Sequence, residues 1–241
     1  MVLGPMGMLR GDKIRLVIRR DGVRGGLRTA VMRARSYIAL SEDHVWYALD
    51  LAGERPKPRL APELTLQCLQ DPDMQLLGQL PSVVPLEAGA RIDAGNDLWL
   101  VLEDDRLLFS CWVFRGQTPV IAASGGQLSL SADTVCLEDS VAAPAARGRG
   151  IAPATWAAIA DTLAGEGKRW IITKIGVDNR SSRRAVEKVG FEPVALMHFR
   201  RMGPRSRTSI EPLDGPHASF FVERIGGGLR GGRRDATDLP G

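Results

Sequence analysis

Residues 134–177 constrain the fold of this chain more than any other part of the sequence. They open with TVCLEDSVAA and close with the β-branched run RWIITKIGV, both typical of strands. Between the two, residues 153–164 have the spacing of a helix, with Pro153 suited to its first turn and Gly165 following its last residue. ARGRG, residues 146–150, joins the first strand to this helix. The sequence therefore predicts a strand, a glycine-rich turn, a helix and a second strand in succession.

The turn has two chemical interpretations, a cradle for an anion or an ordinary basic turn. A Walker-type loop is excluded because no Gly-Lys-Ser/Thr follows, and the dinucleotide fingerprint is excluded because it needs glycine where Pro153 stands. The remaining pattern, R-x-x-G-x-A, runs from Arg147 to Ala152. Its glycines let the backbone turn inward, so that amides of the turn and of the first helical residues converge on an anion. Arg147 and Arg149 add positive charge.

The rest of the chain supplies strands and short helices around this unit. LTLQCLQ alternates like a half-buried strand, and Asp71 with Pro72 suits the start of a short helix. A second helix through PLEAGARIDAG ends at Gly95, and DLWLVLEDD with RLLFSCWVF predicts a hairpin. Downstream, SRRAVEKVG predicts a helix closed by Gly190, followed by strands through PVALMHFRRM and around 207–212. This order predicts a mixed α/β fold with a mostly antiparallel central sheet flanked by helices, and not a doubly wound fold.

Both ends of the chain have a different pattern. Apolar residues at steps of three and four predict a helix over 21–40, and HVWYALDL predicts a strand over 44–51. The proline-rich residues 53–62 predict a linker, so residues 1–60 are expected to form a helix-and-strand extension. Residues 226–241 lack apolar content and are expected to be disordered.

Composition narrows the class of protein. The chain has 241 residues, enough for one large domain or a medium domain with an extension. Its net charge of +4 comes mainly from scattered arginine, which is more typical of a solvated surface than of a nucleic-acid groove. Three widely spaced cysteines make no disulfide framework or metal cluster, and no segment has the pattern of a signal peptide or membrane span. We expect a cytoplasmic protein, and the high Arg, Ala and Gly usage suggests a bacterial one.

Two separate motifs resemble the GNAT acyltransferase family. The first is PAARGRGIAPATW, which fits the family signature Q/R-x-x-G-x-G/A between a strand and a helix. The second is KIGVDNRSSRRAVEKVGFEPV, with Asn179, Ser182 and then Gly190-Phe191 before a strand. The resemblance covers about residues 62–202. It implies a GNAT-like fold, in which a splayed pair of strands opens a cleft in the sheet, and the domain is expected to span 62–212.

The resemblance also implies a donor, acetyl-CoA or another acyl-CoA. Its pantetheine arm would lie between the strand ending at Ala142–Ala143 and the strand 170–177, with an amide near Ala142 facing the thioester carbonyl. Its pyrophosphate would bind the amides of Gly148 to Ala152. The expected donor-binding residues are Val141, Ala142, Ala143, Arg147, Gly148, Arg149, Gly150, Ile151, Ala152, Asn179 and Ser182.

Direct attack by an amine on the thioester needs a base, because most amines are protonated at neutral pH. Glu138 and Asp139 lie on the strand that supplies this base in many relatives. Side chains alternate along a strand, so only one of the two faces the cleft, and a bulge before Ala142 would reverse the choice. We name both and prefer Glu138; for each, the alternative is a charge at a sheet edge or a structural salt bridge. The tyrosine that protonates the departing thiolate in relatives is replaced here by Val186.

The expected function is an N-acetyltransferase acting on a small-molecule or peptide amine. A GNAT-fold domain that holds acyl-CoA without turnover is the alternative, favoured by the valine at position 186. His44, His198 and His217 have no metal-ligand spacing, so no metal is expected. Neither a membrane nor a nucleic acid is an expected partner. Residues 1–60 are expected to brace the sheet; covering the acceptor cleft or forming a homodimer interface are the other roles left open.

Overall fold

The computed structural model describes residues 39–69, 74–80, 85–119, 127–203 and 205–231. The strands are β1 (Ala39–Asp50), β2 (Leu64–Leu69), β3 (Asp97–Glu103), β4 (Arg106–Phe114), β5 (Gln117–Pro119), β6 (Gln127–Ser129), β7 (Thr134–Ala142), β8 (Trp170–Gly176), β9 (Glu192–Met202) and β10 (Arg205–Pro212). The helices are α1 (Met74–Leu77), α2 (Pro85–Asp93), α3 (Ile151–Gly165), α4 (Arg180–Glu187) and α5 (Ala218–Gly231).

Eight strands form one mixed sheet in the order β10-β9-β1-β8-β7-β4-β3-β2, and β5 pairs with β6 separately. β2, β3, β4 and β7 are joined by antiparallel pairings, whereas β7 and β8 are parallel. The parallel pair is the one that α3 connects, as a crossover between parallel strands requires. The predicted mixed, mostly antiparallel α/β fold is confirmed.

Helices α3 and α4 cover one face of the sheet. Alternate residues of β1, namely Val45, Tyr47 and Leu49, belong to the same buried cluster as Trp156 and Ile159 of α3. Alanine is frequent along α3, and several of these alanines are buried, so the helix backbone lies close to the sheet. This packing fixes where the first turn of α3 begins relative to the end of β7.

Strand β1 is an internal strand. It lies between β8 and β9, and its register with β8 places Trp46 opposite Lys174 and Tyr47 opposite Thr173. Val45–Leu49 are all buried, which explains why the segment reads as a continuous apolar run. The strand predicted over 44–51 is therefore present, and it is built into the central sheet. The boundary of an extension at residue 60 stays a prediction.

Two predictions at the chain ends differ from the structure. Ala39 and Leu40 lie in β1 and not in the helix predicted over 21–40, whose other residues are outside the described residues. Residues 226–231, expected to be disordered, continue α5, because the apolar segment before them starts a helix that packs Phe221 against Trp170. Residues 232–241 lie outside the described part of the chain.

The two short helices α1 and α2 and the β5–β6 hairpin were predicted only in part. α1 covers only Met74–Leu77, and its expected start at Asp71 and Pro72 is outside the described residues. α2 ends as predicted, with Gly95 at φ 81°. The small β5–β6 hairpin has too few residues for a periodic pattern and was not predicted.

Residue contacts divide the chain into two units. The larger, residues 44–196 and 210–241, contains part of every strand of the central sheet. In the smaller, residues 1–43 and 197–209, Asp43 accepts hydrogen bonds at 2.7 Å from Arg200 and His198. His198 thus has a structural role, as a partner of Asp43. None of the helices in the described segments is long and apolar enough to cross a bilayer.

Candidate functional site

The parallel strands β7 and β8 separate along their length. They pair only from Thr134 with Trp170 to Cys136 with Ile172. Beyond that point β7 continues to Ala142 and β8 continues to Gly176, while the other edge of β8 stays paired with β1. The predicted splayed pair is present, and it leaves a gap whose two edges carry backbone groups without a ladder partner.

A bulge in β7 sets which groups face this gap. Ser110 pairs with Val141 and Trp112 with Glu138, so one extra residue of β7 is accommodated between them. Asp139 adopts the left-handed conformation there, with φ 48°. The bulge lies before Ala142, but it comes after Glu138, whose pairing with Trp112 continues the regular register of β7. It therefore does not reverse the preference for Glu138.

The amide of Ala142 points into the gap. The neighbouring Ala143 N–H donates to the Leu108 carbonyl of β4 at 2.8 Å. In an antiparallel ladder, consecutive residues direct their backbone groups to opposite edges. Because Ala143 faces β4, Ala142 faces β8, whose pairing has ended. This N–H has the orientation expected of an oxyanion donor.

The turn between β7 and α3 depends on two glycines. After a short 3-10 turn at Pro144–Ala146, Gly148 and Gly150 have φ values of 77° and 74°. A Cβ atom at either position would meet no atom within 4 Å, so positive φ, and not crowding, is the reason for glycine. The open space beside them is where a ligand would approach the backbone.

The amides of this turn are free. In the described part of the chain, the N–H groups of Gly148, Arg149, Gly150, Ile151 and Ala152 donate to no backbone or side-chain acceptor. Pro153 has no N–H, and the first bond of α3 runs from Ala154 N to Gly150 O at 3.2 Å. Unpaired amides and the positive end of a helix dipole together favour an anion at this position.

The two arginines of the turn differ. Arg147 is exposed, and its guanidinium has no ion pair or hydrogen bond among the described residues. Arg149 Nη2 lies 2.6 Å from Glu103 Oε1, an ion pair that also lowers the pKa of Glu103. The sequence predicts both as positive charge for an anion. In the structure Arg149 is already engaged across the turn, and Glu103 offsets its charge.

Asn179 and Ser182 define the N-terminus of α4. The Asn179 side-chain oxygen accepts from Ser182 N at 3.2 Å and from Ser181 Oγ at 3.0 Å. Asn179 is therefore the N-cap residue of α4, which follows β8 at the open end of the gap. This cap explains asparagine at the position without any ligand, so its role in binding the donor stays a prediction.

Loss of this cap should be measurable. Asn179→Ala should lower the free energy of unfolding by about 0.5–2 kcal/mol, because Ser182 N loses its acceptor. Urea denaturation gives the value, and Asn179→Asp is the matched control because aspartate also caps. Equal destabilisation by both variants would contradict the capping role.

Glu138 and Lys174 form a buried ion pair across the gap. The Lys174 ammonium lies 2.7 Å from Glu138 Oε1, and the two side chains are only 6% and 12% exposed. Two residues before them, Cys136 and Ile172 are the last paired residues of β7 and β8. Burial raises the pKa of Glu138, and the charge of Lys174 opposes this shift. An ion pair thus replaces the backbone ladder where the strands part.

Asp139 has a different environment. Its side chain is 52% exposed, and Arg91 of α2 donates to it at 2.7 Å. The Arg91 guanidinium also contacts Glu87 and lies over the rings of Trp112 and Phe114. Of the two carboxylates, the buried Glu138 lies at the gap, whereas Asp139 is held at its outer side by Arg91.

Three other residues bear on the chemistry. Cys136 is buried beside Glu138, with Sγ 3.6 Å from Oε1, and burial raises the pKa of its thiol well above the ordinary value. A buried thiol with a raised pKa holds little thiolate at neutral pH, so Cys136 does not have the properties of a nucleophile. Val186, at the expected tyrosine position, is buried in the core. Tyr47 is also fully buried, and its hydroxyl accepts from Arg183 at 2.9 Å and donates to Glu187 at 3.3 Å.

Most predicted residues come together at the gap and the adjoining turn. Two neighbours were missed by sequence reasoning: Lys174 and Arg91. Lys174 interrupts the apolar run of β8, and a charge inside such a run was the available signal. Arg91 gave no signal, because it comes from α2, an element far from β7 in the chain.

Comparisons with known proteins agree with this geometry. Residues 74–191 match the family model described as "Acetyltransferase (GNAT) family". A solved structure from Drosophila is 14% identical over 76% of this chain and 58% of its own, with a TM-score of 0.50. A tandem GNAT protein from the clavulanic acid biosynthesis pathway is 15% identical over 69% and 55%, with a TM-score of 0.50. At this identity the two structures show the fold alone.

The chain spans less than two thirds of either of these structures, 58% and 55% of their lengths. No curated protein sequence matches it at significant similarity.

Proposed function

We propose that this chain, which belongs to the GNAT acetyltransferase family, is an N-acyltransferase that moves an acyl group from acetyl-CoA, or another acyl-CoA, to an amine. The observation that carries the proposal is the run of unpaired amides from Gly148 to Ala152 beside the open gap between β7 and β8. A pyrophosphate needs hydrogen-bond donors such as these N–H groups. The gap in the sheet suits the pantetheine arm of acyl-CoA, which is extended and has amide groups of its own.

The donor would be held by backbone groups more than by side chains. The amides of Gly148 to Ala152 would bind the pyrophosphate, and the free guanidinium of Arg147 would add charge beside it. The open edges of β7 and β8 would pair with the arm, with Ala142 as the contact from β7, because Val141 and Ala143 direct their backbone groups to β4. Helix α4 begins with Asn179 and Ser182 beside these edges. Acyl-CoA supplies an activated thioester, and no metal is needed.

The chain would act on the reacting groups in two ways. The Ala142 N–H, directed into the gap, would stabilise negative charge on the carbonyl oxygen. Glu138 would accept a proton from the attacking amine, which is mostly protonated near neutral pH. Because burial raises the pKa of Glu138, this carboxylate is a stronger base than an exposed one.

A domain that binds acyl-CoA without turnover is the second candidate. Val186 stands where relatives carry a tyrosine, and Tyr47, the only tyrosine in the described segments, is fully buried. Proton transfer to the leaving thiolate would then depend on water, Ser181 or Ser182. This candidate shares the donor site of the first and differs only in turnover.

The acceptor is proposed by class only, as a small-molecule or peptide amine. A cytoplasmic location and a bacterial source are further parts of the proposal and rest on the sequence features given above. A homodimer interface formed by residues 1–60 is kept as an alternative to their bracing role.

Donor binding tests the proposal directly. Acetyl-CoA at a hundredfold excess over its Kd should stabilise the native state by about 2.7 kcal/mol, because it binds the folded chain alone. Differential scanning fluorimetry would detect this as a rise in Tm, with adenosine as a control that lacks the pyrophosphate. No shift with any acyl-CoA, from a well-folded sample, would reject both candidates. A shift without thiol release across a broad panel of amines would favour the silent domain.

A further inference from the structure

Lys174 is the one amine that the described structure holds against the proposed base. Its position in β8 is opposite Glu138 in the continued register of the two strands, just past the last pair, Cys136 with Ile172. Its side chain therefore starts at the point where the gap opens, projects from the face of the sheet opposite α3, and is only 6% exposed.

Three contacts hold this ammonium beside Glu138, where β7 and β8 part. It donates to Glu138 Oε1 and to the Pro119 carbonyl, both at 2.7 Å, and lies 5.6 Å from the centre of the Trp46 ring. The register of β1 with β8 fixes Trp46 beside Lys174. The side chain is almost completely buried, so its amine is protected from solvent.

Glu138 faces groups from several elements. On its own strand it has Cys136 and Asp139, on β8 it has Lys174, and on β4 its register partner is Trp112. Arg91 of α2 is engaged by Asp139 and Glu87. Lys174 is thus the cation that pairs with Glu138, and its amine occupies the position that an acceptor amine needs for proton transfer to this carboxylate.

We propose that Lys174 is itself an acyl acceptor, so that the chain acylates its own lysine in the gap. This inference rests on the proposed function, since it uses the same donor site and the same base. It adds a covalent modification site inside the chain.

The reaction balances without a further reactant. The Lys174 ammonium gives one proton to the Glu138 carboxylate, and the free amine attacks the thioester carbonyl. The new C–N bond forms as the C–S bond breaks, and the departing thiolate takes a second proton from the nitrogen. The products are an amide on Lys174, neutral Glu138 and free CoA thiol.

Acylation would also change the site. The amide on Lys174 carries no charge, so Glu138 would lose its counter-ion while remaining buried, and its pKa would rise further. The modified chain is therefore expected to transfer acyl groups to other amines more slowly at neutral pH.

Peptide mass spectrometry after incubation of the full chain with acetyl-CoA tests the inference. Direct chemical acetylation favours exposed amines, such as Lys57, which is 61% exposed. We expect the reverse order here, with Lys174 modified about 10²-fold faster than Lys57, because Glu138 supplies general-base catalysis in the gap. Lys174→Arg removes the modified peptide and serves as the assignment control.

A second variant separates enzymatic from chemical modification. Gly150→Asp, expected to block the donor, should abolish acylation of Lys174 and leave that of Lys57 unchanged. Acylation of Lys174 that is no faster than that of Lys57, or that persists in Gly150→Asp, would overturn the inference. A Tm shift and transfer to free amines with unmodified Lys174 would overturn it while leaving the proposed function intact. If acetyl-CoA causes no Tm shift, both the self-acylation of Lys174 and the proposed function are rejected.

Discussion

Gly150→Asp should weaken acetyl-CoA binding by about a hundredfold or more. Gly150 is the N-cap residue of α3, and its amide is one of the five without an acceptor. A carboxylate there would lie beside the proposed pyrophosphate, and two charges about 4 Å apart near a protein surface repel by about 4 kcal/mol before screening by salt. Isothermal titration calorimetry or the acetyl-CoA-dependent Tm shift would measure the loss.

Gly150→Asn is the matched control for this experiment. Asparagine and aspartate have the same shape, and both tolerate the left-handed conformation that Gly150 adopts at φ 74°. Their difference in affinity therefore reports charge and not backbone strain. Gly150→Glu should also abolish the Tm shift, although its side chain tolerates this conformation less well. Unchanged affinity in both acidic variants would overturn the assignment of the cradle.

Glu138→Gln should lower the rate of acyl transfer by about 10²–10⁴-fold, the usual contribution of a positioned general base. Asp139→Asn should change the rate little, because its side chain is half exposed and held by Arg91 at the outer side of the gap. Steady-state thiol release at saturating acetyl-CoA compares the two isosteric variants. If both variants are as active as the original chain, neither Glu138 nor Asp139 takes part in the mechanism. If Asp139→Asn loses more activity than Glu138→Gln, Asp139 is the base.

Stability has to be measured alongside the rate of Glu138→Gln. Breaking a buried ion pair by removing one partner costs about 3–5 kcal/mol, because Lys174 stays buried without a counter-ion. Glu138→Gln with Lys174→Met removes both charges and should recover much of this loss. If the double variant is as stable as the original chain and still inactive, the rate loss comes from the missing base.

The pH dependence of the rate provides an independent readout. The ionised form of Glu138 is the base, and burial raises its pKa above the ordinary value. Activity should therefore fall as the pH is lowered through this raised pKa, at a higher pH than for an exposed glutamate. The same limb of the profile should be missing in Glu138→Gln.

The strand–turn–helix–strand unit could be predicted because its signals are local. The glycines at 148 and 150 are required by positive φ, and Pro153 occupies the first turn of α3, where its missing N–H has no acceptor to lose. Gly95 ends α2 for a similar local reason. Such features depend on neighbouring residues in the chain, which a sequence displays directly.

Pairings between distant segments could not be predicted in the same way. The apolar run of β1 indicates a strand but carries no information about its partners, β8 and β9. The ion pairs of Arg149 with Glu103 and of Lys174 with Glu138 join different elements, so no spacing rule reveals them. Alternation limited the choice to one of Glu138 and Asp139, and the ion pair with Lys174 of β8, which no local pattern reveals, shows that Glu138 is the one at the gap.

The place of β1 in the sheet has a consequence for biosynthesis. During translation, the ribosome releases β1 more than a hundred residues before β8, the strand with which Trp46 and Tyr47 pair. At about 5–20 residues per second, this apolar segment waits roughly ten seconds for its neighbour. A high proportion of contacts between such remote segments also slows folding. Nascent chains of this protein should therefore depend on chaperones that shield β1 until β8 and β9 have emerged.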